Sequence, residues 1–369
     1  MRKVSFVMFG LLLFIVAGCV NHAKINSQKQ NDGIALKIKY AKDFAVFNRN
    51  GKQEVVVYNP WQKGKVLVRF VLVKSHPGKG EIKVPLDSVA VFSSTQLNAL
   101  RMLGVLNRVT GISEARFISN PKVKKLLAAG KMTELSAGGN YFIERILQMK
   151  PQAIFYSPFQ GTLYLPRTLS SITAIPYLDY TEQSPLGRAE WIKFSALFFG
   201  KEKEADSIFR HIEKQYLSFK KMTDTLSMRP TVFSDKFFNG QWFIAGGRSY
   251  MARIFKDAGA DYLWRNDKHI ASFPLNFETV FDKAQNADYW RIIGTFGSQP
   301  SYREIADENV LYTHFKAFKE HHIIYCAPKK TAYFERSAME PQWVLADFIK
   351  AFHPKLLPDY HPVFYRVLK

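Results

Sequence analysis

Cysteine is almost absent from this sequence: Cys19 and Cys326 are the only two in 369 residues. One disulfide at most is possible, so the fold must rest on a hydrophobic core rather than on cross-links. Acidic residues are scarce too, with 31 Asp and Glu against 52 Lys and Arg and a formal net charge of +21. That positive charge is dispersed. No block of five or six Lys/Arg occurs, and no finger, RNP or helix-turn-helix pattern. Nucleic acid is therefore not the expected partner, and an anionic small ligand or membrane surface is. Reaction motifs are missing as well: GxSxG, Walker A, GxGxxG, CxxC and HExxH do not occur. His269, His314, His321, His322, His353 and His361 lack HxH or HExxH spacing, so neither a bare metal site nor a resident cofactor is expected. A single His or Tyr as axial haem ligand stays open.

What is present starts at the N-terminus. Arg2 and Lys3 precede an apolar run, residues 4–16, that ends in Val16-Ala17-Gly18-Cys19. A basic start, a short apolar stretch and small residues before the cut make a secretory signal. Small residues directly before a cysteine resemble the bacterial lipobox, in which Cys19 is lipidated and becomes the mature N-terminus; an ordinary signal peptide with an incidental cysteine is the alternative. No other stretch reaches 18 apolar residues, the length a membrane helix needs. Cys326, in the apolar run 323–326, reads as a buried strand thiol.

Hydrophobic content of 47% and aromatic content of 15% describe a globular chain long enough for two cores. The pattern divides it into a signal peptide (1–18), a polar tether (19–35), a β-rich segment (36–84), an α/β lobe (85–183), connecting helices (184–222) and a second α/β lobe (223–369). Strands are expected at 36–40, 54–58 and 66–73, the last covered on both faces. The organising stretch is 201–222. Ala205, Ile208, Phe209, Ile212, Tyr216 and Phe219 form one helical stripe, with Glu202 and Glu204 in the first turn and Lys220 and Lys221 in the last. The expected fold is α/β: two lobes, each with a central and mostly parallel sheet, joined by this one long helix.

Several motifs then fall into a familiar order. They are Asn140, Glu144-Arg145-Ile146 and Lys150-Pro151-Gln152 in the first lobe, and Asp257-Ala258-Gly259-Ala260, Pro274-Leu275-Asn276-Phe277-Glu278-Thr279-Val280 and Ala287-Asp288 in the second. This order resembles the periplasmic substrate-binding proteins of ABC importers for ferric siderophores, haem and cobalamin, over roughly residues 85–350. Gln152 stands where that family usually has Asp. The β-rich segment, Pro185-Leu186-Gly187-Arg188-Ala189-Glu190-Trp191 and His353-Pro354 look like a lipoprotein branch of Bacteroidetes-type bacteria. The resemblance implies two lobes on a stiff helix, little closure, binding without chemistry, and a monomer held in the periplasm by lipid on Cys19, with the inner membrane favoured. It also implies an ABC permease with its ATPase as partner and an iron- or cobalt-bearing chelate as cargo. Glu144 and Glu278 match the glutamates, one per lobe, that dock on the permease; the alternative is two ordinary solvated carboxylates near helix N-termini.

Ligand is expected between the lobes, outside the strand ends. Candidate contacts are Ser94, Thr95, Tyr156, Phe159, Phe237, Trp242, Arg248, Phe296, Tyr333 and Arg336, since aromatic faces suit a flat macrocycle or catecholate and Arg suits carboxylates. Gly246-Gly247-Arg248-Ser249 reads either as a phosphate cradle or as a hairpin exit followed by a helix cap. Two other functions stay open: a haem-binding or relay lipoprotein without a permease, and a tetrapyrrole chelatase.

Overall fold

A computed structural model describes residues 36–49, 51–159, 165–294 and 300–369. Cys19 and Phe296 lie outside the described residues. Two sheets carry the two lobes. The first has strand order Thr173–Pro176, Ala153–Tyr156, Val89–Val91, Val109–Ser113, Thr133–Ala137 and Asn140–Tyr141, parallel throughout except for the last pair. The second runs Asp261–Tyr262, Thr231–Ser234, Tyr289–Ile293, Ile323–Cys326 and Arg366–Val367, parallel except for its last strand. Continuously buried strands such as Ala153–Tyr156 are what helices on both faces of a parallel sheet require. A small antiparallel sheet extends the second lobe through the Asn239-Gly240 hairpin, where both residues take positive φ.

The helix Glu202–Lys221 bridges the lobes and is roughly 30 Å long at 1.5 Å per residue. Its stripe is divided between them. Phe209 meets the Tyr40 ring at 6.0 Å and the Lys193 amine at 4.7 Å on the first lobe. On the second, the Tyr216 hydroxyl donates to Asp257 at 2.8 Å and Phe219 packs 6.1 Å from Trp343. The preceding helix, Pro185–Leu197, is buried at every residue but Arg188. Ser184 caps it by accepting the Gly187 N–H at 3.3 Å. Gly187 packs closely there: a Cβ would lie 3.1 Å from the Tyr40 carbonyl oxygen.

The N-terminal segment differs from expectation in two ways. Residues 36–40 are not a strand. The N–H groups of Lys39, Tyr40 and Ala41 donate to the Glu190 carboxylate at 2.6–3.0 Å, and those of Lys42 and Asp43 to Glu182 at 2.8 and 3.1 Å. Buried carboxylates thus satisfy donors that a ladder would otherwise take. A four-stranded sheet then forms from Phe44–Arg49, Lys52–Tyr58, Val66–Val73 and Glu81–Lys83. Its third strand is only partly covered: Phe70, Leu72 and Val73 are buried, while Val66 and Arg69 are exposed.

Candidate functional site between the lobes

The parallel strands of each lobe end at a common edge, and the loops leaving that edge can meet a guest. In the first lobe, Val89–Val91 leads to Ser93, Ser94 and Thr95, and Ala153–Tyr156 leads to Ser157 and Phe159. In the second, Thr231–Ser234 leads to Asp235 and Phe237, while Ile323–Cys326 leads to two short helices, Pro328–Thr331 and Tyr333–Arg336. The helix Ser94–Met102 packs against the second of these, across the lobe boundary.

Two buried acids fasten that boundary. Glu335 accepts the backbone N–H of Ser119 and, at 3.2 Å, that of Asn120. Glu340 accepts from the Asn98 amide at 3.1 Å, lies 3.7 Å from Arg101 and takes a fork of bonds from Arg336 at 2.5–3.1 Å. Beside them lies a groove of about 650 Å³, lined by Arg101, Asn98 and Asn120 from the first lobe and Lys329, Lys330, Arg336 and Arg366 from the second. Five cations line this groove against Glu335 and, behind Arg101 and Arg336, Glu340, which leaves cations in excess, and its volume fits a drug-sized ligand.

A second contact crosses at the start of the buried helix. The Arg188 guanidinium sits 4.9 Å from the centre of the Tyr250 ring and 3.4 Å from Asp179. Burial raises the Asp179 carboxyl, an effect the nearby Arg188 charge partly offsets. Asp179 Oδ1, Arg188 Nε and Gln96 Oε1 are buried with no partner among the described residues. Deeper in the second lobe, Arg291 pairs with Asp235 at the strand end and with the Tyr365 hydroxyl at 3.1 Å.

These positions sort the expected residues. Ser94 and Thr95 open the helix that faces Arg336 and are half-buried, with Ser93 Oγ 3.0 Å from Thr95 Oγ1. Phe159 is 68% exposed. Phe237 is half-buried, 5.9 Å edge-on to Phe277. Four expected contacts lie in the core or beside another concavity. Trp242 is a core residue with no exposed surface. It takes the inward position of an alternating strand, donates from Nε1 to Ser234 O at 2.9 Å and packs on Phe233, Trp290 and Phe315. Tyr333 is buried against Phe364 and Tyr365. Tyr156 is buried at a strand end, and burial pushes its phenol up to about 12. Arg248 lines a different concavity, with Lys220, Arg229 and Arg253 near the end of the bridging helix. The turn before it is a helix cap and not a phosphate cradle: Ser249 accepts the Ala252 N–H at 3.2 Å and Arg248 N–H donates to His269 O at 3.0 Å. Asn98, Arg101, Arg188, Glu335 and Glu340 went unanticipated. The only sequence signal for any of them was the Arg188 motif.

Residues 89–330 match the family model described as periplasmic binding protein. The chain belongs to that family. Its members are solute-binding proteins. An uncharacterized lipoprotein of Methanocaldococcus jannaschii is 26% identical, over 92% of this chain and 90% of its own. A periplasmic haem-binding protein from Pseudomonas aeruginosa superposes with a TM-score of 0.59 at 14% identity, covering 77% of this chain and 98% of its own. An ABC-type Fe3+-hydroxamate transport protein from Saccharomonospora viridis gives 0.57 at 14% identity, covering 74% and 95%. At such identities the solved structures establish the periplasmic-binding-protein fold, with two lobes on one helix. In this member of the family Glu144 and Glu278 are both exposed, each in the first turn of its helix, Ile143–Met149 and Phe277–Ala284. Among the described residues, no group of three or more His, Cys, Asp or Glu lies close enough to hold a metal ion.

Proposed function

We propose that this protein is a lipid-anchored capture protein that holds an anionic metal chelate between its lobes and hands it to an ABC permease. The chelate classes are ferric siderophore, haem or corrinoid. The observation that carries the reading is the groove of about 650 Å³ whose cations come from both lobes. Guanidinium and ammonium groups facing each other across a boundary recognise carboxylates or similar anions on a guest that touches both halves. Arg101, Arg336 and Arg366, which line the groove, are its proposed contacts, with Ser94 and Thr95 at the start of the helix that carries Arg101. Capture needs no proton transfer or covalent step. The lipid on Cys19 is supported by the lipobox-like sequence and by a relative named as a lipoprotein, with the inner membrane as its proposed seat. Glu144 and Glu278, one exposed on each lobe, are the proposed permease contacts.

The test is a calorimetric titration of the mature chain with haem, cobalamin, a ferric hydroxamate and a ferric catecholate. One class should bind at micromolar levels or tighter, and Arg101→Ala/Arg336→Ala should weaken it by at least roughly tenfold. In cells, Glu144→Ala/Glu278→Ala should abolish uptake of that chelate while leaving its affinity unchanged. Binding that is indifferent to the two arginines would move the site away from the groove, and undiminished uptake would remove the docking role.

A further inference from the structure

The sheet at residues 44–83 lies outside the stretch that matches the family, and chelate capture gives it no task. Its composition is distinctive. Residues 36–86 hold eleven Lys and Arg against three Asp and Glu, a net +8, whereas the 283 residues that follow share +10. All eleven cations are exposed. Lys39, Arg49, Lys52 and Arg69 pair with carboxylates; the other seven have no carboxylate partner among the described residues. Apolar surface accompanies the charge, with Phe47 39%, Trp61 37% and Val66 37% exposed.

Trp61 occupies the turn between Lys52–Tyr58 and Val66–Val73, together with Lys63 and Lys65. The turn is well held. Asn59 Oδ1 accepts the N–H groups of Trp61 and Gln62 at 3.0 and 3.2 Å, and Asn59 N–H donates to Lys65 O at 2.9 Å. An indole flanked by ammonium groups suits the headgroup layer of a bilayer, where the ring seats at the interface and the amines meet phosphates. Lys74 and Lys79 add charge in the next loop. Location agrees with composition. Leu36 follows Cys19 by 17 residues, which even fully extended span at most about 60 Å. A lipid on Cys19, a step that rests on the proposed function, keeps this sheet near the bilayer.

We propose that the sheet 44–83 and its Trp61 turn bind an anionic phospholipid bilayer, giving the protein a second attachment that fixes an orientation a single lipid anchor does not. The test uses the mature chain from residue 20, which carries no lipid, sedimented with phosphatidylcholine vesicles that contain either no phosphatidylglycerol or about one-third of it. The chain should bind the anionic vesicles only, with Trp61 emission shifting to the blue. Charge reversal at Lys63, Lys65, Lys74 and Lys79 to Glu should lower the partition constant by more than roughly 50-fold, and Trp61→Ala by several-fold. Reversal of four exposed lysines elsewhere, Lys203, Lys268, Lys319 and Lys355, should change it far less. Four results overturn the proposal: no binding to anionic vesicles, equal binding to neutral ones, an equal loss in the control set, or capture by soluble heparin without capture by vesicles. All the substituted side chains are exposed, and unchanged thermal unfolding confirms that the variants fold. No chelate and no lipid on Cys19 enter this assay. Failure of chelate binding, read by calorimetry, or of lipidation, read by the mass of the membrane-extracted protein, is therefore distinguishable from its failure.

Discussion

Two pairs of glutamates make similar joints at two places in this molecule, and their surroundings differ. Glu182 and Glu190 fasten the strap at residues 39–43 to the buried helix of the first lobe, using five backbone N–H groups. Both acids are enclosed, and so is Lys193, whose amine bonds Glu190 at 3.0 Å and Lys37 O at 2.7 Å. Glu335 and Glu340 join the two lobes through two backbone N–H groups, one amide and Arg101, while Arg336 of their own lobe also bonds Glu340. Those arginines keep 43% and 37% of their side chains exposed, so they can turn to water when the joint opens. A buried charge left behind is costly, whereas an exposed one is re-solvated. The first joint is therefore built to stay closed. The second leaves its charges closer to water, which would suit the capture proposed between the lobes.

The largest expected effect is at the closed joint. Glu190→Ala removes the acceptor of three N–H groups and leaves the buried Lys193 amine only Asp206, at 3.5 Å, as a carboxylate partner, so it should cost about 3–5 kcal/mol in urea unfolding. Lys193→Met in the same background should recover part of that loss, because the under-compensated charge goes with it. A loss under about 1 kcal/mol for Glu190→Ala would contradict the permanence assigned to the strap.

At the boundary the energetic effect is smaller and the conformational one larger. Glu335→Ala with Glu340→Ala should cost about 1–2 kcal/mol, since most of the freed donors can reach water. The distance distribution between spin labels at positions 124 and 319, one on each lobe, should broaden and shift outward in the double variant and stay unchanged in Glu190→Ala. Identical distributions in wild type and double variant would show that the bridging helix alone sets the lobe spacing.

Much of the framework was legible in the sequence, because its signals are local. The stripe at 202–221, the Ser184-Pro185 start, the Asn239-Gly240 turn and the unbroken apolar run at Ala153–Tyr156 each specify their element within a few residues. The joints were not legible. Glu190 meets residues 149–151 positions away, and Glu340 meets Asn98 across 242. No periodicity encodes such a pairing, and the strand pattern at 36–40 gives way to it. The aromatic residues expose a different limit. Trp242, Tyr333 and Phe159 look alike as cleft candidates, yet the first two fill the core and the third is 68% exposed. A ring gains comparable free energy against protein or against ligand, so its type does not say which it meets. Ser94, Thr95 and Arg336 are read differently, since polar groups just past strand ends gain little from burial in a core.

A titration isolates what burial does to the closed joint. Burial, with the Asp43 charge beside it, pushes the Glu182 carboxyl up to about 7, and the N–H donors of Lys42, Asp43 and Trp191 offset only part of that. An unfolded glutamate titrates near 4.3. Between those values the folded protein holds a proton that the unfolded chain releases. The contribution of Glu182 to stability is therefore fully present below about 4.3 and is lost as pH rises through about 7. Glu182→Gln removes this dependence while keeping an acceptor for the strap. The wild-type stability minus that of the variant, measured by urea unfolding from acid to mildly alkaline pH, should fall with pH by on the order of 2 kcal/mol. A difference that rises with pH would reverse the ranking of forces at this carboxylate. The N–H donors would then outweigh desolvation, and the strap would be held by a charge rather than in spite of one.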